Sequence, residues 1–181
     1  MSRTAPMLDL VFTRRFSMGH RLIHDASESC ALPHGHNEFV TVRLRPTAPR
    51  PLDGAGNMVV SFQRAKGRWH RFVDERLDHA LQLAEDDPLL AWFRANEPER
   101  ARRIVVTPGD PTTELTACLM MAKLNALLDA DGGVLRCAGI TLQETPTNTV
   151  EFEGEPLDVL PTPRPAAQCW WRRADDSIAD I

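Results

Sequence analysis

Two segments near the N-terminus have the side-chain pattern of β-strands. Residues 11–16 and 39–44 are rich in β-branched and aromatic side chains. A further strand-like segment, residues 57–61, follows a stretch with several prolines and glycines over residues 49–56, which is typical of turns. Together these segments predict a β-hairpin and a long connection.

After residue 61 the spacing of the apolar residues changes and matches one face of an α-helix. The apolar residues of this face are Phe62, Ala65, Trp69, Phe72, Val73 and Leu77. A shorter amphipathic helix is predicted to begin at Asp87-Pro88. Asp110-Pro111 predicts the start of another helix, because a carboxylate can cap it and proline fits its first position. Gly132-Gly133 predicts the end of that helix.

Three more strands are predicted over residues 104–107, 134–144 and 149–153. The order of strands, helices and strands favours an α+β fold with helices on one face of an antiparallel sheet. A chain of 181 residues with 43% hydrophobic content can form one compact domain. Residues 156–181 are expected to form a proline-rich C-terminal tail. The adjacent tryptophans in it, Trp170-Trp171, favour a docking patch on a neighbouring subunit over a cofactor site.

Charge and composition exclude several classes of function. The net charge of -4 comes from interspersed charges of both signs, so no basic stripe points to nucleic acid. The chain contains no run of about 18 apolar residues, the length that could span a membrane. Residues 1–10 lack the apolar core of a signal peptide, so we expect a cytoplasmic protein. The four cysteines have no CxxC spacing and are expected to be free thiols, with Cys118 and Cys137 in the core.

The segment CALPHGHN, residues 30–37, is the strongest chemical signal in the chain. Alternate residues of a strand point to the same face, so His34 and His36 could offer both imidazoles to one metal ion. His20 could complete three nitrogen ligands from a neighbouring strand. Three protein ligands leave the fourth position of a zinc ion open, which is typical of a catalytic site. Cys30 would then be a nucleophile or base beside the metal.

The same residues also have interpretations without catalysis. HxH pairs occur by chance, and histidines on strands often only form hydrogen bonds. Asp78-His79 could be a solvated pair at a helix end, and Glu144 could be a strand residue in a salt bridge. Glu114 fits a charge at the start of a helix better than a catalyst. His24 is not counted as a ligand, because a spacing of four residues does not converge in a strand or loop.

Several short motifs, taken in order, resemble a known family. They are FSMGHRL, CALPHGHN, ERLDHALQ, DPTTEL and LQET, and they are similar to motifs of the 6-pyruvoyl tetrahydropterin synthase and 6-carboxytetrahydropterin synthase family. The resemblance covers residues 8–154. It implies the tunnelling fold, an α+β fold with a four-stranded antiparallel sheet and two helices on one face. In that family several subunits close a barrel, usually as a homohexamer made of two trimers, with active sites at subunit interfaces.

The resemblance also implies a role for each candidate residue. Three histidines match the zinc ligands of the family: His20, His34 and His36. Cys30 matches its catalytic cysteine, and Asp78 with His79 matches the catalytic partner pair. Glu144 matches the glutamate that binds the amino and ring N–H groups of a pterin, two donors that one carboxylate can accept together.

The spacing of three residues between Cys30 and His34 resembles the 6-carboxytetrahydropterin synthases of the queuosine pathway. The implied reaction converts 7,8-dihydroneopterin triphosphate to 6-carboxy-5,6,7,8-tetrahydropterin, acetaldehyde and triphosphate. Alternatives are a 6-pyruvoyl tetrahydropterin synthase, a dihydroneopterin aldolase-like enzyme, and a zinc- and pterin-binding module without turnover. Within an expected synthase domain over residues 1–155, the segment at about 84–107 is longer than in short family members and is expected to be an insertion.

Overall fold

The computed structural model describes residues 8–24, 27–49, 52, 54–161 and 165–180. Six strands form one sheet, namely β1 (Leu10–His20), β2 (His34–Pro46), β3 (Ala80–Ala84), β4 (Ile104–Thr107), β5 (Leu135–Gln143) and β6 (Thr149–Phe152). The helices are α1 (Glu28–Ala31), α2 (Phe62–Phe72) with a π-helical continuation (Val73–Leu77), α3 (Pro88–Asn96), α4 (Pro98–Ala101) and α5 (Thr113–Ala130). The prediction that the N-terminus is not a signal peptide concerns residues 1–10, and residues 1–7 lie outside the described residues. None of the helices in the described ranges is long and apolar enough to cross a membrane.

The sheet is mixed and larger than expected. Its strand order is β4-β3-β1-β2-β5-β6, and β1, β2, β5 and β6 are antiparallel neighbours, as the sequence predicts. However, β3 and β4 extend this unit in parallel, so the expected count of four strands is wrong. Parallel neighbours need a crossover connection, and the segment 84–107 supplies one between β3 and β4 through α3 and α4.

The hairpin of β1 and β2 is longer than its apolar pattern indicates. The two strands pair without interruption from Leu10 opposite Leu44 to His20 opposite His34. Even-numbered residues of both strands face the helices, so Phe16 and Val40 are buried in the core, whereas the odd-numbered Val11 and Phe39 remain exposed. The same alternation carries the strands into the histidine motifs.

The prediction of a strand at residues 57–61 is wrong. The described residues of this segment are bends and coil, and Ser61 caps α2 by accepting a hydrogen bond from the Arg64 amide. Among residues 57–60 only Val59 is buried, and Met58 is exposed, so the segment lacks an apolar face that could hold it on the sheet.

The start of α5 also differs from the prediction. Thr112, not Asp110, is the N-cap, and its hydroxyl accepts a hydrogen bond from the Leu115 amide. The Asp110 carboxylate instead accepts the backbone N–H groups of Ile23 and His24, at 2.9 and 2.7 Å. Asp87 does cap α3, as predicted, through the Leu89 amide.

The C-terminal residues pack on their own chain. Trp170 and Trp171 are each 1% exposed, so the interpretation as an exposed docking patch on a neighbouring subunit is wrong. The Trp170 indole donates a hydrogen bond to the Val106 carbonyl at 2.8 Å, and the Val106 amide donates to the Ile178 carbonyl at 2.9 Å. The segment therefore covers the outer edge of β4, whose backbone groups would otherwise be open.

Candidate functional site

The three histidines of the sequence motifs meet where β1 ends and β2 begins. His20 lies directly opposite His34 in the strand register, and His36 is opposite Met18. Their ring centroids are 4.5 to 5.2 Å apart. One nitrogen of each ring lies within 4.8 Å of a nitrogen of the others, so the residues could hold a single metal ion.

The glycine between the two histidines is required by the close approach of the strands. A Cβ atom at Gly35 would lie 2.9 Å from the backbone oxygen of Met18, which cannot move aside as a flexible side chain could. Gly19 on the facing strand is similarly close to the His34 backbone oxygen, at 3.3 Å from an added Cβ. The small residues let the two strand ends come together and bring their imidazoles close.

Backbone carbonyl groups determine which ring nitrogens face one another. Nδ1 of His20 lies 3.0 Å from the Pro111 oxygen, and Nδ1 of His34 lies 2.8 Å from the Leu32 oxygen. A carbonyl oxygen only accepts, so each Nδ1 carries the proton and, in the neutral ring, each Nε2 presents a lone pair. Burial lowers the pKa of His20, which favours its neutral form.

Nε2 of His20 therefore lies 3.1 Å from Nε2 of His34, and two lone pairs this close together would be stabilised by a cation bound beside both nitrogens. Two nitrogens of a tetrahedral zinc site with bond lengths of about 2.0–2.1 Å are roughly 3.3 Å apart. Hydrogen bonds from the second ring nitrogen to a carbonyl group are the usual support of histidine ligands. The residues present thus fit a metal ion with three imidazole ligands.

Glu144 lies beside this cluster. Its Oε1 is 3.9 Å from His20 Nε2 and accepts a hydrogen bond of 2.8 Å from the Thr113 hydroxyl in the first turn of α5. The positive end of the helix dipole also favours a carboxylate at this place. Glu144 is therefore held in one orientation next to the three histidines, where it could accept N–H groups of a bound molecule.

Sequence reasoning missed a second carboxyl group, that of Glu38. It is only 4% exposed, and burial, followed by the charge of Glu144, raises its pKa to about 8. The alternation of the strand could have revealed it, because residues 34, 36, 38 and 40 share the inner face of β2. At that place a carboxyl group interrupts a row of histidine and apolar side chains.

Cys30 lies in a short helix between the two strands that carry the histidines. It lies in α1, whose N-cap Ser27 accepts a hydrogen bond from the Cys30 amide, and the Cys30 carbonyl accepts one from the Leu22 amide at 2.9 Å. Leu22 follows His20 by two residues, so α1 is attached to the segment leaving the site. All four cysteines are free thiols, as predicted, and only that of Cys30 is not buried.

Asp78 and His79 form a close pair just before β3. Asp78 accepts the Ser17 amide at 2.7 Å and lies 2.9 Å from His79 Nδ1, and the Ser17 hydrogen bond, together with His79, lowers the pKa of Asp78. His79 has a φ of 62° and its side chain is 79% exposed. A depression of about 380 Å³ is lined by both His36 and His79. Within this one chain, His79 therefore lies beside one of the three histidines, with most of its side chain open to contact from outside.

His24 stays outside the cluster. Its ring bridges Asp110 and Asp86, with nitrogen to oxygen distances of 3.1 Å to each, and the hydrogen bond to Asp110 is the main reason that its pKa is raised. Glu114 is an exposed acidic residue in the first turn of α5.

Comparison with known proteins adds to this geometry. The family model described as 6-pyruvoyl tetrahydropterin synthase matches residues 9–155. A protein of Rickettsia conorii named 6-carboxy-5,6,7,8-tetrahydropterin synthase is 28% identical over 141 residues, 77% of this chain and 96% of that protein. A protein of Rickettsia felis with the same name is 29% identical over the same shares.

Solved structures share the fold. An uncharacterized protein of Wolinella succinogenes matches 83% of this chain and 100% of its own, with a TM-score of 0.66 and 22% identity. The 6-pyruvoyl tetrahydropterin synthase of Caenorhabditis elegans matches 85% of this chain and 99% of its own, with a TM-score of 0.54 and 24% identity. With a family model that covers most of its length, the chain belongs to the 6-pyruvoyl tetrahydropterin synthase family and is an enzyme of the lyase type.

Proposed function

We propose that this protein is a zinc-dependent 6-carboxy-5,6,7,8-tetrahydropterin synthase, which converts 7,8-dihydroneopterin triphosphate to 6-carboxytetrahydropterin, acetaldehyde and triphosphate. The observation that carries the proposal is the cluster of three imidazoles with Glu144 beside it. The shared name of the two Rickettsia relatives and the spacing of Cys30 from His34 support this reaction and a place in queuosine synthesis.

Each residue of the site has a distinct task in this proposal. His20, His34 and His36 would hold the zinc ion, which supplies a Lewis acid that polarises an oxygen of the substrate side chain. Glu144 accepts two adjacent N–H groups of the pterin ring, and the Thr113 hydroxyl holds that carboxylate in place.

Proton transfer is assigned to the remaining candidates. Cys30 acts as the base that removes a proton from a side-chain carbon of the substrate. His79, oriented by Asp78, donates or accepts a proton on the other side of the reacting group. Since the His79 side chain is 79% exposed and is therefore accessible to another chain, we propose that Asp78 and His79 serve the site of a neighbouring subunit.

The proposal therefore includes a homo-oligomer, with the hexamer of two trimers as its expected form. β3 pairs with β1 only over residues 18–20, which leaves the edge of β1 over residues 10–16 without a neighbouring strand among the described residues. On the face away from the helices, Val11 and Phe39 are 53% and 40% exposed. An open edge beside exposed apolar side chains is suited to closing a barrel with further copies.

The experiment that tests the reaction is identification of its products. Zinc-loaded protein is incubated with 7,8-dihydroneopterin triphosphate, the pterins are identified by mass spectrometry, and acetaldehyde is assayed in the same samples. Formation of 6-carboxytetrahydropterin together with acetaldehyde is expected. A different pterin product, or unchanged substrate in the presence of bound zinc, would contradict the proposal.

A second candidate is elimination of triphosphate to give 6-pyruvoyl tetrahydropterin. The likeness of the fold to the Caenorhabditis elegans enzyme of that name favours it. The same measurement separates the two reactions, because this one releases no acetaldehyde. An aldolase-like cleavage would leave a dihydropterin with a shortened side chain, and a binding module would leave the substrate intact.

A further inference from the structure

Glu38 is a buried acidic residue that the site described so far leaves without a task. It lies on the inner face of β2, two residues beyond His36, and it is 4% exposed. The residues that continue the row, Val40 and Val42, are fully buried apolar residues. A carboxyl group at this place interrupts what is otherwise the apolar interior.

Asp87 is the other buried acidic residue among the described residues, and its contacts show the donors that a protein normally offers to a buried carboxylate. Asp87 is 2% exposed, and it receives both the Arg21 guanidinium and the Leu89 amide. In the part of the chain that the structure describes, Glu38 has no such hydrogen-bond donor or ion-pair partner. Burying a polar group without a donor costs free energy, so such groups call for a partner. A donor from a bound molecule would supply it.

The strand register places Glu38 next to Glu144. Phe39 lies opposite Gln143 in the last pair of the β2–β5 ladder, and Glu38 and Glu144 are the residues that adjoin this pair. Glu144 is close enough for its charge to act on the Glu38 carboxyl group. A molecule bound to the Glu144 carboxylate therefore lies within reach of the Glu38 carboxyl group.

We propose that Glu38 is a specificity-determining residue that accepts one N–H of the exocyclic amino group of the ring bound at Glu144. An amino group between two ring nitrogens carries two hydrogens. The Glu144 carboxylate accepts one amino hydrogen together with the adjacent ring N–H. The second amino hydrogen then points away from Glu144 and is free to donate to another group. This inference rests on the proposed function, because it assumes a pterin-type ring at Glu144.

The two carboxyl groups would select against a ring with an oxo group at the same position. The oxo group has no hydrogen to offer to either carboxyl group. Sites built to bind a donor reject analogues that lack it much more strongly than apolar pockets reject an extra group. The chain would thus discriminate a 2-amino-4-oxopteridine from a 2,4-dioxopteridine.

The test is equilibrium binding of two simple probes, pterin and lumazine, to the zinc-loaded protein, measured by calorimetry. Lumazine is the 2,4-dioxo analogue of pterin. For the wild-type protein we expect pterin to bind much more tightly than lumazine. In Glu38→Gln the amide can donate to the oxo group, so the ratio of the two dissociation constants should fall about 3- to 10-fold, the range for one ordinary hydrogen bond.

A second variant removes the acceptor altogether. Glu38→Met should weaken pterin binding about tenfold or more and leave lumazine binding within a factor of about two. Glu151→Gln, the same substitution at an exposed position of β6, is the matched control and should leave both affinities unchanged. Thermal unfolding of each variant shows that the domain is folded.

The outcomes separate the inference from the proposed function. If Glu144→Gln loses pterin binding but the selectivity of both Glu38 variants equals that of the wild type, the role of Glu38 is refuted and the ring site at Glu144 stands. If the wild-type protein binds neither probe, the pterin site itself is refuted and the inference falls with it.

Discussion

At the scale of single residues, the backbone around the three histidines decides which ring nitrogens face one another. His34 donates its Nδ1 proton to the Leu32 carbonyl, which directs Nε2 toward the His20 ring. We expect His34→Ala to lose stoichiometric zinc and Cys30→Ala to keep zinc but lose turnover. Metal content by mass spectrometry of dialysed protein measures the first effect. His24→Ala, a histidine outside the cluster, is the control; full zinc in His34→Ala would remove this residue from the ligand set.

The glycine of the motif provides a test of the close strand approach. Gly35→Ala should destabilise the fold by about 1–3 kcal/mol, because its Cβ would lie 2.9 Å from the Met18 backbone oxygen. Gly67→Ala is the matched control: nothing lies within 4 Å of its Cβ in α2, and alanine there should stabilise by about 0.5–1 kcal/mol. Urea unfolding compares the two variants. Equal stability of both would mean that the strands can separate without cost.

A pH dependence is expected at His24. Asp110 raises the pKa of His24 above the ordinary value of 6.5, so its contribution to stability is complete below that value and is lost as the pH rises through the folded-state pKa. Asp110→Asn should return the pKa toward 6.5, and Asp86→Asn should lower it less. NMR titration of the ring protons gives both values. An unchanged His24 pKa in Asp110→Asn would contradict the assigned cause.

At the scale of elements, one lysine attaches the C-terminal segment to α5. Lys123 is fully buried, and its Nζ donates to the Trp170 and Arg173 carbonyls at 3.0 and 2.9 Å, with Asp175 Oδ1 at 3.4 Å. Three acceptors match the three N–H groups of an ammonium ion. Burial lowers the pKa of Lys123 to about 8, so it is still mostly charged at neutral pH.

Removing this contact should release the segment. In Lys123→Met two buried carbonyl groups lose their donor, which should cost about 2–4 kcal/mol of unfolding free energy. Cleavage within residues 165–180 by a protease should become faster than in the wild type. Lys66→Met, on the less buried surface of α2, is the control. If the segment stays as protected as in the wild type, the tryptophans hold it without the lysine.

At the scale of the whole molecule, the exposure of His79 leads to a complementation experiment. If these residues serve a neighbouring subunit, neither Cys30→Ala nor His79→Ala alone should be active. Equal amounts of the two variants are mixed and refolded together. The mixture should recover about a quarter of wild-type activity, since a quarter of randomly assembled interfaces combine an intact Cys30 from one subunit with an intact His79 from the other. An inactive mixture would mean that each site takes both residues from one chain, and a fully active monomer in gel filtration would exclude the oligomer.

Local patterns were sufficient for a large part of the fold and the metal cluster. Helical spacing indicated α2 through Leu77, and the Asp87-Pro88 pair indicated α3, because capping and periodicity act over a few residues. Alternation in HGH placed two imidazoles on one face for the same reason. The prediction failed at Asp110, because Thr112 two residues later can cap equally well and Asp110 is needed by the amides of a distant loop.

What the sequence by itself determined was therefore a set of local features: the main helices, the two strands of the hairpin and the shared face of His34 and His36. Only the tertiary structure decided that β3 and β4 join the sheet and that Glu38 lies close to Glu144, a residue far away in sequence. It likewise decided that Trp170 is buried in its own chain. These contacts depend on strand register and on the closing of long loops, and the free energy that selects them comes from surfaces that meet only once the chain has folded.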